Sequence, residues 1–202
     1  MRVFLCDAGN IPQDVLKKAA QTLPEDRVPR DSWHKDAYAA RVVSTLLVHY
    51  AIWQLCPVAV CEKWLIAKGG KPFIEDCPVH FSISHADGVI AVAVSNDHPV
   101  GVDTQEVRAL REGFMTRYFS EGEQAQIRTA TDRDEALIRL WTAKEAVGKY
   151  QGTGLNGDPH AIDTQNATSV FYEKNGARFA LSVSPKCDIP TLEWVDFEDL
   201  VP

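Results

Sequence analysis

At 202 residues with 45% hydrophobic content, the chain is long enough to bury a core as one domain or as two small packed halves. A net charge of −7 argues against a broad nucleic-acid surface, and no apolar run approaches the roughly 18 residues of a membrane span. The five cysteines (Cys6, Cys56, Cys61, Cys77 and Cys187) include no C-x-x-C pair and read as reduced core thiols rather than a zinc site.

Residues 2 to 6 predict a first strand rather than a signal peptide, which fits a cytoplasmic protein. A helix is expected after Pro12, then an ordered turn over residues 23 to 30, where two prolines alternate with Arg27 and Arg30. Residues 35 to 55 carry Val42, Val43, Leu46, Leu47, Tyr50 and Ile52 at helical spacing and predict a long helix. A short strand over 63 to 67, a turn at Gly69-Gly70-Lys71-Pro72, a strand at 81 to 83 and an apolar strand at 89 to 95 follow. The turn at 96 to 99 leads into Gly101-Val102-Asp103.

Beyond residue 104 the pattern turns helical: 108 to 119, 121 to 128, and a long helix from about 133 to 150. Asp132 with Glu135 gives that long helix a capping signature, and Gly152 and Gly154 end it. Strands over 168 to 172 and 178 to 184 flank Asn175-Gly176, a hairpin signal, and a last strand is expected from 192 to 197. Each half thus holds strands and one dominant helix. The expectation is an α+β fold of two similar halves, residues 1–101 and 102–202, with a groove between them.

Within the long helix, Leu137, Leu140, Trp141, Lys144 and Gly148 share one face, so Lys144 falls in line with buried residues and Glu145 sits beside it. Charges so placed need partners, which phosphate and a divalent metal would supply; the plainer reading is a solvated rim with Glu145 and Lys149 as an i,i+4 pair. On the strand Gly101-Val-Asp-Thr-Gln-Glu106, Asp103 and Gln105 point to one side and Glu106 to the other. Asp103 either faces Glu145 across the groove to form a Mg²⁺ site or caps the helix that follows. Ser84-His85 lacks the flanking glycines of a nucleophile elbow, which disfavours a serine hydrolase and leaves His85 free to donate to a phosphate.

Taken in order, G-K-P at 70 to 72, F-S-I-S-H at 81 to 85, G-V-D at 101 to 103, R-Y-F-S-E-G-E at 117 to 123 and W-T-A-K-E-A-V-G-K-Y-Q-G-T-G-L at 141 to 155 resemble the 4′-phosphopantetheinyl transferases of the pseudo-dimeric Sfp-like class. The resemblance implies two α+β halves related by a pseudo-twofold, with coenzyme A in the cleft. It implies transfer of the phosphopantetheine arm of coenzyme A to a serine of an apo acyl or peptidyl carrier protein, releasing 3′,5′-ADP, by a cytoplasmic monomer.

Carried over by residue, Asp103 and Glu145 would hold Mg²⁺, with Gln105 contributing directly or through water. Lys144 and Lys149 would face the phosphates. Glu145 or Glu123 would accept the serine proton. Ser84 and His85 would contact coenzyme A, His85 through a phosphate, and Lys71 and Pro72 would line the adenine pocket. Arg27 and Arg30 are the candidates for the 3′-phosphate, with Arg41 in reserve. Gln105 stands where the family often has an acid, which leaves open a coenzyme A- or carrier-binding protein that has lost transferase activity. Arg108, Arg111, Arg117 and Arg128 are expected to meet an acidic carrier.

Overall fold

The structure, a computed structural model, describes residues 1–109 and 112–201, without the side chain of Glu112. In chain order the first elements are β1 (Arg2–Asp7), α1 (Gln13–Ala20), α2 (Lys35–Leu55), β2 (Trp64–Ile66), β3 (Pro72–Ile74), β4 (His80–Ala86) and β5 (Val89–Ser95). They are followed by β6 (Gly101–Glu106), α3 (Glu112–Tyr118), α4 (Glu121–Thr129), α5 (Arg133–Gln151), β7 (Thr168–Lys174), β8 (Ala177–Ser184) and β9 (Leu192–Trp194). The chain is α+β and divides into two compact units, Met1–Val100 with Thr191–Pro202, and Gly101–Pro190. None of the described helices is long and apolar enough to cross a membrane.

The first unit is built on the sheet β4-β5-β1-β9, in which β5 pairs antiparallel with both β4 and β1. Every residue of β5 is buried, as its continuous apolar run requires of a central strand. Helix α2 buries Val42, Val43, Leu46, Leu47, Val48 and Ile52, and Tyr38 near its start, in one core with Phe4, Leu16, Ile90 and Val92. It is apolar on nearly every side because sheet, α1 and the C-terminal turn around Phe197 all close on it. The last strand, grouped with the second half in the sequence reading, pairs in parallel with β1 through Val3↔Leu192 and Leu5↔Trp194. Three residues are too few to carry a periodic signal of where they belong.

The second unit packs α5 on the antiparallel sheet β6-β8-β7. The Asn175-Gly176 hairpin forms as expected, with both residues at positive φ (52° and 79°). Asp132 caps α5 by accepting from the Glu135 amide at 2.9 Å, but the Glu135 carboxylate pairs with Arg178 instead of closing the box. The complete capping box belongs to α4, between Ser120 and Glu123. Gly152 ends α5 in the left-handed region (φ 72°), and the Thr153 and Gly154 amides each donate to the Gly148 carbonyl at 3.1 Å.

Gly101 sets how closely β6 approaches α5. A Cβ there would lie 2.0 Å from the Ala146 carbonyl oxygen and 2.6 Å from the Tyr150 amide nitrogen, both main-chain atoms of a helix that cannot turn aside. Gly101→Ala is expected to destabilise the protein by about 3 kcal/mol. A urea unfolding curve with an unchanged midpoint would show that β6 and α5 are further apart.

Candidate active site

In the second unit, α5 against β6 brings two carboxylates and an ammonium together. Asp103 is 2% exposed, in a strand whose opposite face is committed to the sheet core through buried Thr104. Lys149 Nζ donates to Asp103 Oδ1 at 2.7 Å and to the Val102 carbonyl at 3.0 Å, and Gln105 Nε2 reaches Asp103 Oδ2 at 3.4 Å. Glu145 is half-buried one turn before Lys149. Its pKa is raised, first by burial and next by the negative charge of Asp103, with Lys149 opposing.

Two carboxylates repelling one another beside a single ammonium form a site that a divalent cation would relieve. Asp103 and Glu145 therefore fit the Mg²⁺ read from the sequence. Both lie within one unit, on β6 and α5, rather than on two sides of a groove. Among the described residues no cluster of three or more His, Cys, Asp or Glu side chains could hold a metal, so water and phosphate oxygens would complete the coordination shell, as Mg²⁺ accepts.

Lys144, expected at the phosphates, is turned the other way. It is 0% exposed, and its Nζ bonds Glu123 Oε1 at 2.9 Å and the Pro159 carbonyl at 2.7 Å, beneath the Phe119 ring. Glu123, expected as an alternative base, is occupied on both oxygens: Oε2 accepts from the Ser120 amide at 2.8 Å and the Ser120 hydroxyl at 3.0 Å. The pair ties the start of α4 and the turn at Pro159 to α5.

The first unit carries a groove of about 940 Å³ lined by Arg27, Trp33, Arg41, Ser44, Gly70, Pro72 and His85 among others. Arg27 is 8% exposed, with its guanidinium 4.1 Å from the Trp64 ring centroid and its Nε donating to Thr45 Oγ1 at 3.3 Å. Trp64 is itself fixed by its Nε1 donating to His49 Nε2 at 3.3 Å. Burial, and then Arg27, lower the His49 pKa to about 4, so His49 is neutral and able to accept. Burial lowers the pKa of Arg27 to about 10, with Arg41 adding to the effect, yet Arg27 stays charged at neutral pH. A buried cation pressed by a second cation fits a polyanion.

Residues 99–186 match the 4′-phosphopantetheinyl transferase superfamily. The 4′-phosphopantetheinyl transferase psf-1 of Bacillus pumilus is 36% identical over 158 residues, covering 71% of this chain and 67% of that protein. The 4′-phosphopantetheinyl transferase AcpT of Salmonella typhimurium is 30% identical over 157 residues, 75% of this chain and 71% of that protein. This chain belongs to the 4′-phosphopantetheinyl transferase family. A further relative, the 4′-phosphopantetheinyl transferase gsp of Aneurinibacillus migulanus, is 31% identical over 147 residues, of which the match spans 70% of this chain but only 60% of gsp.

In this family member the superfamily match covers Asp103, Glu123, Lys144, Glu145 and Lys149, all in the second unit. The first-unit expectations fare unevenly. Arg27, Pro72 and His85 line the groove, and so does Arg41. Arg30 is exposed and outside that lining; Ser84 is buried on β4 opposite Ala91. Lys71 sends its Nζ to the Val100 carbonyl at 2.5 Å. Arg111 lies outside the described residues. Sequence reasoning missed Trp64 and His49, which orient Arg27, because residues 37 and 22 positions away from it are joined to it only by folding. Trp33, two residues before α2, has its ring centroid 5.2 Å from the Arg41 guanidinium, an aromatic partner for an arginine that lies close to it in the sequence.

Proposed function

We propose that this chain transfers the 4′-phosphopantetheine arm of coenzyme A to a serine of an apo acyl or peptidyl carrier protein and releases 3′,5′-ADP. The observation that carries this reading is Glu145, half-buried with a raised pKa beside Asp103 and Lys149 inside the region that matches the family. Asp103 and Glu145, with Gln105 directly or through water, would hold Mg²⁺, which draws charge from pyrophosphate oxygens when bound. Lys149, already aimed at Asp103, supplies a cation for charge that develops on the leaving phosphate. Glu145 is favoured over Glu123 as acceptor of the serine proton, since both Glu123 oxygens are engaged.

The first-unit groove would take the nucleotide end of coenzyme A, its 3′-phosphate toward Arg27 and Arg41 and a phosphate within reach of His85. Arg27→Met, which keeps a long apolar stem against Trp64, is expected to weaken 3′,5′-ADP binding at least tenfold by calorimetry. Unchanged affinity would move the 3′-phosphate elsewhere. Exposed Arg108, Arg117 and Arg128 would offer an acidic carrier positive charge, and the reading takes the protein as a cytoplasmic monomer.

Gln105 favours a second reading, a coenzyme A- or carrier-binding protein without transferase activity. Chromatographic detection of 3′,5′-ADP separates the two. Its release only when apo carrier, coenzyme A and Mg²⁺ are all present supports the transferase; coenzyme A binding without release supports the binding protein.

A further inference from the structure

The two elements that carry Asp103 and Glu145 are joined by a buried chain of hydroxyls. Thr142 lies one turn before Glu145 on α5 and is 0% exposed. Its Oγ1 donates to the Arg139 carbonyl at 3.0 Å and lies 2.7 Å from Ser182 Oγ. Ser182 is also 0% exposed, and on β8 it is the register partner of Asp103. Ser182 Oγ is in turn 2.7 Å from Ser169 Oγ on β7.

Each hydroxyl has one proton to give, and the proton of Thr142 is committed to the Arg139 carbonyl. Ser182 must then donate to Thr142, and Ser169 to Ser182. The chain runs in one direction across β7, β8 and α5. Residues directly opposite on antiparallel strands share a face, so Ser182 and Asp103 both look toward α5, where one meets Thr142 and the other Lys149.

We propose that Thr142 and Ser182 are positioning residues that fix the separation of Asp103 from Glu145 by pinning α5 to β8 beside Asp103. Leu, Val or Ala at these positions would serve adhesion between helix and sheet equally well. A directed hydrogen bond of fixed length does what apolar packing does not: it sets one helix height over the strand. The inference rests on the reading of Asp103 and Glu145 as the metal pair.

The test is Mn²⁺ binding to the purified protein, followed by electron paramagnetic resonance of free Mn²⁺, for wild type, Thr142→Val, Thr142→Ser, Ser182→Ala and Ser169→Ala. Thr142→Val and Ser182→Ala are expected to weaken Mn²⁺ about tenfold or more, and Thr142→Ser to restore it. Ser169→Ala, which leaves the Thr142 to Ser182 bond intact, should bind as wild type does. Affinity for 3′,5′-ADP should be the same in all five. Wild-type Mn²⁺ affinity in both Thr142→Val and Ser182→Ala would overturn the proposal, and so would an equal loss in Thr142→Ser, which would point to the lost methyl. Mn²⁺ binding by the wild type without any transfer activity would overturn the transferase reading alone, while no Mn²⁺ binding at all would overturn both.

Discussion

Lys144→Met is expected to destabilise the protein by about 3 to 5 kcal/mol, because it leaves the Glu123 carboxylate part-buried without its cation. Lys144 is fully buried and the Glu123 side chain is only 15% exposed, so solvent screens the pair little. Glu123 must also keep its capping box with Ser120, and it cannot swing out to water without giving that up. Glu123→Gln in the Lys144→Met background should recover most of the loss, since Gln still reaches the Ser120 amide and carries no charge. Urea unfolding of the wild type, both single variants and the double variant gives the coupling directly. Wild-type stability in Lys144→Met, together with a selective loss of coenzyme A affinity, would return Lys144 to the phosphates.

Glu145→Gln should lower transfer by about 10²- to 10⁴-fold and at the same time make the metal-free protein more stable at neutral pH. The sign follows from linkage. Burial and Asp103 raise the folded-state pKa of Glu145 above its unfolded value, so the folded protein binds the proton more readily. Stability therefore falls as pH rises from the unfolded value through the raised folded one, and the charged form is the costly one above that window. Gln has no charge to desolvate, so the variant should lack this fall. Stability of both proteins from pH 4 to 8, measured without metal, checks the sign. A variant that is less stable than wild type at neutral pH would mean that Glu145 is held by attractive contacts rather than strained by Asp103.

The long helices were legible because their signals are local: apolar spacing over about 20 residues defines α2 and α5, and Gly152 marks where α5 stops. Val89–Ser95 and the Asn175-Gly176 hairpin were legible for the same reason. The burial of Lys144 was also readable from its position on the helix face. Its partner was not. Spacing says that a buried ammonium needs a counter-charge, but Glu123 is 21 positions away and is chosen by the way α4 packs on α5.

The same limit explains Arg27. Sequence placed it in a turn with Arg30 and could not separate them; folding buries one against Trp64 and leaves the other in solvent. The strand β3 was hidden because it begins at Pro72, which has no amide proton for a ladder and which closes the segment read as a turn. Asp103 and Glu145 were expected to face one another across a groove, whereas a strand and a helix of one unit carry them, a setting that spacing along the chain does not encode.

The most direct test of Asp103 and Glu145 as the centre of a transferase is intact-mass spectrometry of an apo carrier protein incubated with this chain, coenzyme A and Mg²⁺, with Glu145→Gln in parallel. The expected result is a carrier heavier by one phosphopantetheine arm, formed only with Mg²⁺ and about a hundredfold or more slower with the variant. An equal rate of mass gain with Glu145→Gln, or with the metal chelated away, would contradict the assignment of the site.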